Sequence, residues 1–222
     1  MRKKDNKKIA SLLGAALIFV LTINAAYAYF TSQIEIDNGT IINVNAPVMP
    51  TFMAYASDKL ELNVTSSDLL EANALPVVSD NASIIASLSS ANGDTIHCKY
   101  DIIIAWDTTN QYTVPTTTLS GEYKYEISLQ GKQTISNDTT GHTYSVTQLN
   151  ETNLTALTWV GNAGTIGRKA TLIQGAEIYS NSTTATQAKW DFTINFYSLP
   201  TDQSALLGKN YSAHITVTNV TC

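Results

Sequence analysis

The chain has 222 residues, of which 44% are hydrophobic and only 14% are charged, and its formal net charge is −5. A chain of this length can bury a hydrophobic core, and its composition is not that of a disordered tail, a coiled coil or a collagen. Two cysteines and three histidines are too few for a four-cysteine zinc site or a dense disulfide scaffold.

The first 28 residues have the three parts of a secretory signal peptide. A basic start is followed by the apolar stretch Ile9–Ile23 and then by the small-residue motif Ala26-Tyr27-Ala28. This order predicts export with cleavage after Ala28, so that Tyr29 begins the mature chain and the signal peptidase is a partner during export. An uncleaved membrane anchor is the alternative, because about twenty apolar residues can span a bilayer.

Residues 29–222 lie outside the cytoplasm under either alternative, secreted or held at the cell surface. Five basic residues and one acidic residue precede Tyr29, which leaves eight basic against seventeen acidic residues and a net charge of −9. Binding to nucleic acid or to anionic lipid depends on Lys and Arg. The charge therefore argues against a nucleic-acid partner, and contact with a membrane is expected only through residues 1–28 before cleavage.

The junction Ala26-Tyr27-Ala28-Tyr29-Phe30-Thr31-Ser32 resembles the signal region of Gram-positive proteins that the SipW-type signal peptidase processes. In that group an alanine is followed by aromatic residues and then by threonine or serine. The group includes the TasA biofilm-fibre proteins and the camelysin-like proteins, which have been described as metalloproteases. The resemblance implies a secreted bacterial protein, and in the TasA-like members it implies fibres assembled by donor-strand exchange.

Residues 29–44 are the predicted donor strand. In an extended segment Phe30, Ile34 and Ile36 lie on one face, and such a segment can add to an open sheet edge of another molecule. The alternative is that this strand pairs within its own sandwich. The prolines that follow predict a loop over residues 45–57, between this strand and the main body of the domain.

Alternation of apolar and polar residues is clearest in four segments farther along the chain, and each predicts an antiparallel strand with one solvated face. These segments are Ile96–Trp106, Tyr123–Leu129, Trp190–Phe196 and Tyr211–Val217. Weaker strand patterns occur at Ile34–Ile36, Ile41–Val44, Lys59–Val64, Ile84–Leu88, Thr143–Leu149, Leu154–Val160 and Ala170–Tyr179. Only Ser66–Ala74 and Thr201–Gly208 predict helix.

These elements predict the fold class. Many short strands separated by Asn, Asp, Gly and Thr clusters are typical of a sandwich or jelly roll. Residues 29–222 are therefore expected to form a single all-β domain, an antiparallel and jelly-roll-like β-sandwich of eight to ten strands. One or two short helices are expected after the N-terminal signal helix.

Cys98 and Cys222 are an even pair in an exported chain, so an internal disulfide is the first expectation. Two other states stay open from the sequence alone. Both thiols could be free, or Cys222, as the last residue, could link to another molecule. A nucleophilic role for Cys98 is disfavoured, because His97 precedes it in a strand and must point to the opposite face.

The remaining candidate residues do not form a catalytic or metal-binding motif in the sequence. His97, His142 and His214 lack the spacing of a zinc-binding helix, and no serine-nucleophile or phosphate-binding motif is present. The turn carboxylates could bind calcium individually, although they do not follow the spacing of a calcium loop; these are Asp37, Asp80, Asp94 and Asp138. No catalytic residue, metal site or cofactor is predicted.

The sequence thus favours a secreted, non-enzymatic structural protein of the cell surface or extracellular matrix. It is expected to act by protein–protein association, including self-association into fibres. A surface module that binds carbohydrate or a host protein through loops of the sandwich is the alternative. A camelysin-like protease is a weaker one, because the chain has no recognisable catalytic constellation.

Overall fold

The computed structural model describes residues 51–56, 59–69, 71–72, 74–112, 121–161 and 168–222. The predicted signal peptide, its cleavage site and the predicted donor strand lie outside these residues. The described residues form ten β-strands and four short 3-10 helices.

The strands form two five-stranded sheets in which all neighbours are antiparallel. In spatial order the first sheet contains β1 (Thr51–Ala56), β3 (Val78–Ser89), β9 (Thr186–Phe196), β5 (Ile127–Ser136) and β6 (Gln148–Asn153). The second sheet contains β2 (Leu60–Asn63), β10 (Asn210–Thr221), β4 (Ile96–Trp106), β8 (Lys169–Ser180) and β7 (Trp159–Val160). The predicted antiparallel β-sandwich is confirmed.

The core lies between the two sheets, where the alternating apolar residues meet. In β9 the side chains of Trp190, Phe192 and Ile194 are fully buried, while the residues between them face outward. The indole of Trp190 donates a hydrogen bond to the Tyr100 hydroxyl of β4 at 3.1 Å, which joins the two sheets inside the core. Burial raises the pKa of Tyr100 to about 12, so its hydroxyl stays protonated.

The expectation of one solvated face per strand is wrong for the second half of β4. Ile103 and Ala105 point away from the core positions Ile102 and Ile104, yet they are at most 8% exposed. An apolar residue at every position from Ile102 to Trp106 is typical of a strand that is covered on both faces. The alternation therefore describes only the first half of β4, where Lys99 is exposed.

The first two strands belong to different sheets. β1 pairs with β3 of the first sheet as far as Ala56, and β2 then pairs with β10 of the second sheet from Leu60 onward. The Asp80 carboxylate of β3 accepts a hydrogen bond from the Glu61 backbone amide at 2.6 Å, close to this crossing. The predicted loop over 45–57 is thus wrong for β1, whose residues alternate between the core and the outer face.

Two predicted strands are displaced along the chain. The segment Thr143–Leu149 is mostly loop, and β6 begins at Gln148. Leu154–Val160 begins with a 3-10 helix over Leu154–Ala156, and only Trp159 and Val160 pair as β7. Asn153 causes this turn, because its side-chain oxygen accepts a hydrogen bond from the Thr155 amide and caps the helix.

The predicted strand Tyr123–Leu129 begins later than expected. Gly121–Tyr123 is a 3-10 helix, and β5 starts at Ile127. The Tyr125 hydroxyl instead donates to the Glu151 backbone carbonyl at 3.2 Å, so this aromatic residue is held by its side chain and not by a strand ladder.

The two predicted helices are single 3-10 turns. They cover Ser66–Leu69 and Ser204–Leu206, and neither turn contains a buried residue. Short helices depend on a packed apolar face for stability. Without one, the predicted helices over Ser66–Ala74 and Thr201–Gly208 do not extend beyond one turn.

The second sheet is tied together at the end of β10. Cys98 and Cys222 form a disulfide with an S–S distance of 2.04 Å, which confirms the internal pairing. Nearby, the Asp101 carboxylate accepts hydrogen bonds from the Gly175 amide and the Asn219 side chain, each at 2.7 Å. Both partners have positive φ values, at irregularities in the strands that flank β4. One side chain therefore stabilises two β-bulges.

Candidate association edge

Most of the site residues predicted from the sequence lie outside the described residues. These are Ala26, Ala28 and Tyr29 of the cleavage site and Phe30, Ile34 and Ile36 of the donor strand. The structure does place Cys98 and Cys222, and it joins them. Of the carboxylates considered for calcium, Asp37 is outside the described residues, Asp80 lies in β3 and not in a turn, and Asp80 and Asp138 accept hydrogen bonds from the protein itself.

The edges of the two sheets are the natural places to look for association, because a strand at an edge has backbone groups without a partner. In the described residues the edges are β1 and β6 of the first sheet and β2 and β7 of the second. β2 has four residues including Glu61, β7 has two residues, and β6 contains Glu151. β1 has six residues, none of them charged, and pairs with β3 without a register shift.

A shallow apolar groove of about 240 Å³ lies on the outer face beside the edge of β1. Met53, Tyr55 and Ile85 supply most of its apolar lining, together with Ala54 and the polar residues Ser87 and Gln187. Tyr55 is 46% exposed, which is high for a large aromatic residue in a strand. By contrast, the inward residues Phe52, Ala54 and Ala56 are 3–8% exposed. The uncovered apolar surface of β1 is therefore its outer face.

We call this combination of the open edge of β1 and the groove lined by Met53, Tyr55 and Ile85 the association edge. An added strand could pair with the backbone of β1 and place alternate side chains in the groove. The alternation of Phe52, Ala54 and Ala56 between outward residues is a strand signal that the sequence already contains. The two preceding prolines instead favoured a loop, although a proline is compatible with the position just before a strand.

A second cluster, which the sequence did not predict, lies on the outer face of the second sheet. Tyr179 of β8 stacks on His97 of β4 with ring centroids 4.6 Å apart, and on His142 of the β5–β6 loop with centroids 3.6 Å apart. The Nε2 atoms of both histidines lie 3.7 Å from the Glu177 carboxylate. His97 and His142 are separated by 45 positions in the sequence, which explains why no local spacing could have revealed the pair.

This cluster fastens a loop and does not have the geometry of a metal centre. His97 and His142 each stack on Tyr179, and Glu177 is a carboxylate near both Nε2 atoms. Among the described residues no group of three or more His, Cys, Asp or Glu side chains could hold a metal ion. Lys99 binds Glu177 at 3.0 Å, and this hydrogen bond lowers the pKa of that carboxyl.

A network of tyrosines and glutamates lies where β5 begins and β9 ends. Glu151 of β6 accepts hydrogen bonds from the Ser128 hydroxyl at 2.6 Å and from the Tyr197 hydroxyl. Glu126 accepts one from Tyr112 at 2.9 Å and one from the Gln203 amide at 3.2 Å. Burial, followed by the bond to Glu151, raises the pKa of Tyr197 to about 12. The hydroxyl therefore acts as a donor that holds β6 in place.

Comparison with models of protein families, with curated proteins and with solved structures finds no match to this chain. Within the part of the chain that the structure describes, there is no helix of sufficient length and apolar character to cross a membrane.

Proposed function

We propose that this protein is a secreted structural protein of the cell surface or extracellular matrix, and that it acts by protein–protein association at the association edge. The observation that carries the proposal is the edge strand β1, which has six uncharged residues in regular register beside an exposed apolar groove. Natural sheets protect such edges with charges, prolines, bulges or a covering segment, because unprotected ones pair with other chains.

Other features support an extracellular role. The first 28 residues have the parts of a secretory signal, and disulfides such as Cys98–Cys222 persist in oxidising compartments. The expected mature chain, 29–222, has few charged residues and many threonines and asparagines, a composition that supports a structural role. Residues 29–44, with Phe30, Ile34 and Ile36 on one face, are a strand that a neighbouring copy could receive.

Light scattering coupled to size-exclusion chromatography tests the proposal on purified 29–222, with electron microscopy of any large fraction. We expect concentration-dependent assembly that Tyr55→Lys abolishes, because a lysine in the groove places a charge against any added strand. Asn150→Lys, on the opposite edge strand β6, is the matched control and should leave assembly unchanged. Assembly that persists in the Tyr55→Lys variant, or is lost equally in both variants, contradicts the proposal.

The donor strand is tested separately with Ile34→Asp and Ile36→Asp, and with a chain that begins at Asn38. If residues 29–44 add to another molecule, these variants stay folded and monomeric. Unfolding of the monomer, seen by loss of its circular-dichroism signal, would instead indicate that the segment pairs within its own sandwich.

A further inference from the structure

We infer that Asn63, Asn81 and Asn150 carry N-linked glycans in the exported protein. The chain contains nine Asn-x-Ser/Thr sequons, the acceptor motif for this modification in secreted proteins, and none has proline in the middle position. They begin at Asn38, Asn63, Asn81, Asn137, Asn150, Asn153, Asn181, Asn210 and Asn219. The inference does not depend on the proposed function, and β1 contains no asparagine.

Composition alone does not account for the number of sequons. From Tyr29 onward, serine and threonine make up 47 of the 194 residues, and there are 16 asparagines. Chance would therefore place a serine or threonine two positions after about four of these asparagines, and the observed number is nine.

The alternation of polar residues in strands does not account for it either. Alternation would favour a hydroxyl two positions after aspartate and glutamine as well as after asparagine, because all three are polar. In the same range only five of the 18 Asp and Gln residues have Ser or Thr at that spacing. The enrichment is thus particular to asparagine.

The structure leaves the sequon asparagines at the surface. Eight of the asparagines that it describes lie in sequons, and each of the eight is exposed or half-buried. Asn195, the one described asparagine that is buried, is not in a sequon. A glycan is bulky and lies in solvent, so a buried asparagine is not compatible with one in the folded domain.

The side-chain nitrogen distinguishes three of these residues. The Oδ1 atom of Asn81 accepts a hydrogen bond from the Thr193 hydroxyl at 2.6 Å, and that of Asn150 accepts one from the Gln148 amide at 3.0 Å. Their Nδ2 atoms, which would bear the glycan, donate no hydrogen bond to the described residues, and both side chains are exposed. The exposed side chain of Asn63 on β2 has no hydrogen bond within the described part of the chain either.

The other described sequons are engaged by the fold. Four asparagines use Nδ2 to donate hydrogen bonds within the protein; these are Asn137, Asn153, Asn181 and Asn219. A glycan replaces one of the two hydrogens of Nδ2 and crowds the partner of the other. Asn210 is half-buried, and the hydroxyl of its sequon belongs to the buried Ser212. We therefore expect these five sequons to stay unmodified.

The modification is a glycosyl transfer without a redox step. Nδ2 forms a bond to the anomeric carbon of the first sugar, and the bond from that carbon to a phosphate oxygen of the donor breaks. The donor is a glycosyl pyrophosphate carried on a membrane lipid, and the pyrophosphate leaves with the electron pair. A transferase that meets the chain during export accepts the proton that Nδ2 releases.

Mass spectrometry of peptides from the protein purified from its native cells tests the inference. Cleavage after glutamate places Asn63 and Asn81 in different peptides and separates Asn150 from Asn153. We expect mass increments with matching sugar fragment ions at Asn63, Asn81 and Asn150 in most molecules. Asn153 and Asn219 are the internal controls, and we expect no increment on either.

Matched variants separate transfer at a sequon from a chance adduct. Thr65→Ala destroys the sequon but keeps Asn63, so it should remove the increment from that peptide, whereas Thr65→Ser should retain it. The Thr65 hydroxyl also bonds to Asp68, so Thr152→Ala and Thr152→Ser repeat the test at Asn150 if Thr65→Ala is not exported.

Three results would overturn the inference. The first is an unmodified peptide at each of Asn63, Asn81 and Asn150. The second is an increment that survives in Thr65→Ala and Thr152→Ala. The third is modification of Asn153 and Asn219 as often as of the three proposed sites, since the engagement of Nδ2 would then not select the acceptor.

Discussion

The two edges of the first sheet are stabilised in different ways. β6 is held by polar groups. The Glu151 carboxylate accepts hydrogen bonds from the hydroxyls of Ser128 and Tyr197, and the Glu151 backbone carbonyl accepts one from the Tyr125 hydroxyl. β1 is held by its ladder to β3 and by apolar packing on its inner face, and its outer face is open. Among the described residues, β6 is thus an edge strand fixed by polar contacts, whereas β1 is an edge strand without charge or register shift, the kind that natural sheets usually protect.

The largest expected effect comes from removal of the disulfide. This change should lower the stability of the fold and leave association unchanged. The Cys98–Cys222 bond closes a loop with a sequence separation of 124 residues. Restriction of the unfolded chain by such a loop stabilises the fold by about 4–5 kcal/mol. Replacing both cysteines by alanine should lower the free energy of unfolding by this amount, measured by urea denaturation, without changing assembly at low temperature. Equal urea midpoints for the oxidised and reduced parent would contradict this prediction.

The next effect concerns Glu151, the residue that distinguishes β6 from β1. Glu151→Ala should cost about 2–3 kcal/mol, because the buried hydroxyls of Ser128 and Tyr197 lose their acceptor. Glu151→Gln, which keeps one acceptor oxygen, should cost less. Thermal and urea unfolding measure both losses, with Asn150→Ala at the exposed neighbouring position as the control. A cost for Glu151→Ala no greater than that of the control would show that the network does not hold this edge.

A glycine beside β6 provides a steric test of the same region. Gly131 of β5 lies opposite Phe192 of β9, and a methyl group added to it would meet the Phe192 ring at 2.6 Å. Gly131→Ala should therefore destabilise the fold by about 1–3 kcal/mol, the usual cost of overpacking a core. Gly175→Ala is the comparison, since its cost of about 1 kcal/mol comes from a positive φ in open space. If urea unfolding gives the same loss of unfolding free energy for Gly131→Ala and Gly175→Ala, the Phe192 ring moves away from the added methyl group.

The smallest effect is a dependence of stability on pH that arises away from both edges. The hydrogen bond from Lys99 lowers the pKa of Glu177 below its ordinary value of 4.5. A carboxyl with a lowered folded pKa contributes stability above its unfolded pKa and loses it as the pH falls through the folded value. We expect a loss of at most about 1 kcal/mol below pH 4.5, because Lys99 is largely exposed.

Urea unfolding at several pH values between 3 and 7 measures this loss. Glu177→Gln should flatten the profile, and Lys99→Met should make the loss smaller, because the folded pKa of Glu177 then lies closer to its unfolded value. A profile that is the same in the parent and in Glu177→Gln would exclude this carboxyl as the source.

Sequence reasoning succeeded where one strand carries its own signal. Trp190–Phe196, predicted from its alternation, lies in β9, which begins at Thr186, and the weaker pattern Ala170–Tyr179 lies in β8, which extends one residue farther at each end. It failed where side chains from elsewhere decide the backbone. Asn153 caps a turn inside a predicted strand. The alternation assigned Tyr125 to a strand, but its side-chain hydroxyl instead bonds to the backbone of Glu151.

Most of the candidate association edge could not be predicted from the sequence. Its alternating residues Phe52, Ala54 and Ala56 were visible, but nothing in the six residues says that β1 lies at an edge. The stack of His97, Tyr179 and His142 was equally hidden, because it joins three elements that are far apart along the chain.

By itself the sequence determined the all-β fold class, and it predicted the export signal and the internal pairing of the two cysteines. Each depends on local pattern or on composition, since a period of two reveals which side of a strand is buried. Only the tertiary structure decided which strands are neighbours, that β1 and β2 belong to different sheets, and that β1 lies at the edge of its sheet among the described residues. Those features depend on contacts between distant residues, and a local periodicity contains no information about the partner across the sheet.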